Sequence, residues 1–178
     1  LTESAINCTI WGALGLIYYF RARVASNLKY VYLFASALLL LLSVAAYGLS
    51  LTLLNPLWSS EVVSETPVLN ILLLAYGAPV AIFALCSYWY ASITRKSFIL
   101  LTGLSFFLFV NLEIRHLWLG ALSLELGTIK SELYTYSAVW LFLAIALLIP
   151  GSLRKNRTLN NTGFCLLALV IGKIFLID

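Results

Sequence analysis

The sequence predicts an all-α, polytopic membrane protein, a bundle of about six transmembrane helices. Three observations carry that reading. The chain of 178 residues is 62% hydrophobic and 10% charged, with a mean hydropathy of +1.00, whereas soluble domains carry about 25% charged residues. Its apolar residues fall into six long runs, and in lipid only helices and closed barrels satisfy their own backbone groups. Its basic residues gather in every second joint between those runs, as they do in cytoplasmic loops.

Taken in order, the expected spans are about 4–20, 30–54, 68–91, 97–120, 134–149 and 162–178, against the ~20 residues that a span needs. The first is short and ends in Tyr18-Tyr19-Phe20 before Arg21 and Arg23. The second holds the Leu38–Leu42 run and stops at Asn55-Pro56, because proline cannot continue the hydrogen-bond ladder. Between it and the third span, the stretch 55–67 carries Trp58, Glu61 and Glu65 and reads as a short amphipathic turn on the membrane surface. Tyr76-Gly77-Ala78-Pro79 interrupts the third span, with Gly77 and Pro79 as the candidate hinge. A packing kink is the plainer reading of the same residues. Pro150-Gly151 is expected to close the fifth span.

Charge fixes an orientation. Arg21, Arg23 and Lys29, then Arg95 and Lys96, then Arg154, Lys155 and Arg157 occupy alternate joints that contain no acid. Glu3, Glu61, Glu65, Glu125 and Glu132 lie on the opposite side, with Lys130 the one basic residue there. Eight of the eleven basic residues obey one assignment, which puts both ends of the chain outside, on the periplasmic face. The net charge of +4 is not a nucleic-acid signal, because no basic run is long enough. A lipid bilayer is the partner that the composition implies.

Chemistry-bearing residues are few. Cys8, Cys86 and Cys165 each sit inside an apolar run without CxxC spacing and read as packing residues. With a single histidine they do not make a zinc site, and no phosphate-binding, dinucleotide, zincin or nucleophile-elbow motif occurs. No cofactor or metal is therefore expected. Asn-x-Thr triplets at Asn7, Asn156 and Asn160 fall in a span or a basic joint and are discounted as glycan acceptors.

The most telling stretch is Phe106–Trp118, which places Asn111, Glu113, Arg115 and His116 at membrane depth. A charge there costs about 3 kcal/mol or more, so it calls for a partner or a water-filled cavity. Helical spacing sets Thr102, Ser105, Phe109, Glu113 and His116 on one face, and Asn111, Arg115 and Trp118 on another. Arg115 is read as snorkelling to the interface beside Trp118. Glu113 with His116 is read either as a hydrogen-bonded pair or as a titrating or binding pair in a cavity. Tyr134, Tyr136 and Ser137 bring hydroxyls to a similar depth, and the tyrosines also fit an aromatic belt. Lys173 lies near mid-membrane, where Asp178 is poorly placed to neutralise it, so Glu113 or a hydroxyl of Tyr134 or Tyr136 is its expected partner. Asn111, Glu113, Arg115, His116, Tyr134, Tyr136, Lys173 and Asp178 together form the candidate outward-facing polar cluster.

Several strings resemble a family of large bacterial predicted membrane proteins defined by a domain of unknown function. They are Leu69-Asn70 with Leu74–Pro79, Thr94-Arg95, Val110–Arg115, Glu132–Trp140 and Lys173–Asp178, so the resemblance runs from about Val68 to Asp178. It implies a bacterial inner-membrane location and a parent chain with further spans, of which 1–178 would be one helical module. It carries over no catalytic residue. The expected function is a transport-related or assembly subunit with an outward-facing polar pocket. The alternatives are an integral-membrane enzyme acting on a lipid-linked or glycan substrate at the periplasmic face, and a purely structural subunit.

Overall fold

The computed structural model describes residues 1–25, 27–58, 66, 68–90, 92–120, 122–123 and 127–176. The surface turn expected over 55–67 falls largely outside them, as does Asp178. All regular elements among the described residues are helical: α1 (Thr2–Val24), α2 (Lys29–Leu51), a π turn (Leu73–Gly77) leading into α3 (Ala78–Trp89), α4 (Ser92–Leu119), α5 (Lys130–Leu153) and α6 (Arg157–Leu176). Among the described residues, four helices are long and apolar enough to cross a membrane: Lys29–Leu51, Thr94–Leu119, Lys130–Leu153 and Arg157–Leu176. Leu73–Trp89 is a shorter apolar helix, and α1 carries Glu3, Arg21 and Arg23. The chain divides into two compact units, Leu1–Glu125 and Leu126–Asp178.

The helix ends depart from the expected spans for local reasons. Asn70 accepts the backbone N–H groups of Leu72 and Leu73 at 2.8 and 3.3 Å, which starts the third helix. Asn156 does the same for Thr158 and Leu159, so α6 begins ahead of residue 162. The expected stop at Pro150 is wrong. Proline lies inside α5, and the helix runs on to Leu153, with the Pro150 carbonyl accepting from Arg154 N at 3.0 Å. The proline removes one donor and keeps a helical φ, so a helix held by its neighbour continues for a last turn past it. Pro79 is the second residue of α3, one residue past the five-residue π turn. There the ladder has already widened, with Ala78 N bonding to Leu73 O.

In the first unit, α1 and α2 pack along small residues repeated every seven positions: Cys8, Gly15 and Ala22 on α1, and Ser36, Ser43 and Ser50 on α2, all buried. A heptad repeat keeps one seam facing its partner, and small side chains let the backbones close up, as membrane helices favour. A Cβ on Gly12 would stand 2.8 Å from Ile82 Cγ2 and 2.9 Å from Ser43 Oγ. The serines then bond across the seam. Ser36 Oγ donates to Gly15 O at 2.7 Å, Ser43 Oγ to Cys8 O at 2.7 Å, and Ser4 Oγ to Ala46 O at 2.6 Å. An aromatic chain completes this core: Tyr76 against Tyr47, Tyr47 against Phe83, Phe83 against Phe98, Phe98 against Tyr90, and Tyr90 stacked on Tyr19 at 4.3 Å. It links residues of α1, α2, α3, α4 and the π turn, at ring separations where aromatic pairs attract.

In the second unit, α5 and α6 pack by the same rule. Ser137, Ala144 and Gly151 on α5 and Gly163 and Val170 on α6 are the buried heptad positions. A Cβ on Gly151 would stand 2.9 Å from Asn160 N, and one on Gly163 would stand 3.2 Å from Ala144 O.

Candidate functional site

The α4 segment of the expected cluster lies in the first unit. Arg115 does not snorkel. It is 4% exposed and turns to the chain that follows its helix, with Nε donating to Leu122 O at 3.1 Å and Nη2 to Ser123 O at 2.6 Å. A guanidinium carries five donors in a fixed fork, which suits it to collecting the carbonyls left over where a helix ends. Asn111 donates from Nδ2 to Phe107 O at 2.6 Å, one turn back on its own helix.

Glu113 and His116 are three residues apart on a common face of α4. Glu113 Oε2 accepts the backbone N–H of Val68 at 3.2 Å, where Val68 takes a left-handed φ of 65°. That bond fixes the chain ahead of the third helix onto α4. Glu113 Oε1 and His116 Nδ1 are buried and have no hydrogen-bond partner among the described residues. These two atoms are therefore not bonded to each other, and the hydrogen-bonded-pair reading fails for them. A buried polar atom left open costs about 1–3 kcal/mol, and Tyr47 Oη and Ser105 Oγ are open in the same unit, but Glu113 and His116 are the ionisable pair on one face of α4. Beside it runs a groove of about 220 Å³ lined by Val68, Phe109, Val110, Glu113, Ile114 and Leu117, in which Glu113 is the one polar side chain.

In the second unit, Lys173 is met by α5. Its Nζ donates to Leu133 O at 2.9 Å and to Ser137 Oγ at 2.8 Å. Tyr136 donates to Glu132 Oε1 at 3.1 Å, and Tyr134 is exposed. Glu132, expected as an acid in a joint, is instead fully buried within α5. Its i,i+4 spacing to Tyr136 was the available signal, because those two positions meet on a helix. The structure thus ties Lys173 to Leu133 and Ser137, and Glu132 to Tyr136, within one helix pair. The wider joining of these groups with the α4 residues is an expectation that spans the two units. Among the described residues no group of three or more His, Cys, Asp or Glu side chains is placed to hold a metal ion.

These features, buried hydroxyls bonded across helices and charges spent on carbonyls, fit a chain that lives in lipid. Comparison with known proteins settles the class. The chain belongs to the family described as predicted membrane protein (DUF2339). The match covers residues 1–178, so it takes in the first two helices as well as the region from Val68 onward. No curated protein and no solved structure matches the chain. This member of the family is a membrane protein with several apolar helices, and its family's function is unknown.

Proposed function

We propose that this chain is an assembly module of the bacterial inner membrane. In this reading it has six spans and both ends on the periplasmic side, and a further span of the same protein or of another membrane subunit docks at Glu113 and His116. One observation carries it. Arg115 is committed to Leu122 and Ser123, and Lys173 to Leu133 and Ser137, each within its own unit. Glu113 and His116 keep buried atoms open beside an apolar groove. An apolar groove with one carboxylate suits a helix that brings a single donor, since polar contacts between membrane helices add about 0.6–2 kcal/mol each.

The test is photo-crosslinking from a benzoylphenylalanine at Leu117, which lines the groove and is exposed. In native membranes it should give an adduct with a polypeptide span, and Glu113→Gln should weaken that adduct. Adducts with lipid alone would sink the assembly reading. The groove itself favours a second reading, an enzyme acting on a lipid-linked or glycan substrate with Glu113 or His116 as general base. A lipid-linked adduct lost in Glu113→Gln would select it. For orientation, single cysteines at Lys96 and Thr128 should label from opposite faces of the membrane. Labelling of both from one face would end the six-span arrangement.

A further inference from the structure

At the far ends of α1 and α2 from Ser4 and Ser50, a groove of about 580 Å³ opens between Tyr19, Arg23, Val24, Lys29 and Leu33. It carries two cations, and no acid occurs anywhere between Glu3 and Glu61 in the sequence. Arg23 is held by rings rather than by a carboxylate: its guanidinium carbon lies 5.4 Å from the Tyr19 ring centroid and 5.3 Å from that of Trp89. Contact with rings offsets the charge without a carboxylate, and a guanidinium carries five N–H donors with which to take an anion. Tyr19 is itself fixed, its hydroxyl donating to Trp89 O at 2.9 Å. The platform under Arg23 is therefore built, not loose.

We infer that this groove is a binding site for the phosphate headgroup of an anionic phospholipid, clamped between Arg23 and Lys29. A lipid, rather than a soluble phosphate, fits because the surroundings are apolar and exposed. Val24, Tyr30, Val31 and Phe34 are all more than half exposed, so a headgroup seated on the cations leaves acyl chains lying along that surface. Basic pockets between membrane helices take such headgroups for this reason.

The test uses the purified protein in nanodiscs and counts lipids retained on mild extraction by native mass spectrometry, with phosphatidylglycerol against phosphatidylcholine. The wild type should keep phosphatidylglycerol selectively. Each basic residue near a membrane surface contributes on the order of a fivefold preference. Arg23→Gln with Lys29→Gln should therefore lower retention about 30-fold, and Lys29→Gln alone about fivefold. The single change covers the case in which losing Arg23 unseats the aromatic platform. Lys155→Gln with Arg157→Gln, an equal loss of charge in the α5–α6 joint, should lower retention less than Lys29→Gln alone does. Equal loss in that control, or undiminished retention in both groove variants, overturns the site. Displacement of the lipid by millimolar inorganic phosphate would reassign the groove to a soluble anion and overturn the lipid proposal.

Discussion

The helix pairs α1–α2 and α5–α6 solve one packing problem with different chemistry. Both place small residues at seven-residue intervals along the seam, and both bring glycine within contact of the facing helix. The first pair then ties its seam with neutral hydroxyls, spread from Ser4 near one end to Ser36 near the other. The second ties its seam with an ammonium, Lys173, on one carbonyl and one hydroxyl. Hydroxyl ties are each weak, but they cost nothing in charge burial. The ammonium tie is stronger and carries a solvation cost of similar size. Evenly spaced hydroxyls in one pair and a charged tie in the other should therefore give different responses to substitution.

The largest effect is expected where a side chain would meet backbone. Gly151→Leu drives a branched chain toward Asn160 N, 2.9 Å from the new Cβ, and should cost about 3 kcal/mol by equilibrium unfolding in mixed micelles. A cost below about 1 kcal/mol would mean that the second seam is loose. Next comes removal of the hydroxyl ladder. Ser36→Ala, Ser43→Ala and Ser50→Ala together should cost about 2 kcal/mol, shared nearly evenly when the changes are made singly. Gly12→Ala should cost about 1 kcal/mol, because the atoms it meets belong to the Ile82 and Ser43 side chains, which can turn aside. Lys173→Met should be the mildest, within about 1 kcal/mol of wild type, since lost charged hydrogen bonds and relieved charge burial nearly cancel. A loss above about 2 kcal/mol there would erase the contrast between the two pairs.

Much of the fold was legible because the physics of lipid is coarse. Runs of apolar residues and the punctuation of Asn55-Pro56 located the helices to within a few residues. Helix ends were less legible wherever a side chain rather than composition decides them, as Asn70 and Asn156 do and as Pro150 fails to do. The heptad of serines at 36, 43 and 50 was present in the sequence and passed over. Serine reads as neutral by hydropathy, and its value emerges only when a facing carbonyl is known. At the candidate site, the need of Lys173 for a partner followed from charge in lipid. That the Leu133 carbonyl would be one partner did not, because a backbone acceptor leaves no trace in side-chain identity, and Ser137, though noted among the hydroxyls of α5, was not singled out over the two tyrosines. Arg115 was misjudged for the same reason, its acceptors being two carbonyls past the end of α4.

A ladder whose rungs repeat every seven residues has a hazard of its own. Sliding α2 along α1 by one heptad, about 10.5 Å, brings a serine opposite a small residue again, so the two helices alone tolerate more than one register. What removes the ambiguity lies outside the pair. Tyr90 hydrogen-bonds Ser36 at 2.9 Å, and the Tyr76 hydroxyl donates to Ser50 O at 2.7 Å, so the third helix grips the ladder at its first and last rungs. The distance between Tyr76 and Tyr90 along that helix is thus a ruler for the first two. The π turn holds the first of those marks, Tyr76, and sets its rotation about the axis relative to the rest of the helix. Excising Gly77 would restore a plain α-helix while turning Tyr76 relative to Tyr90 by about 100°. Such a protein would keep all its helices and lose the means of aligning the first two.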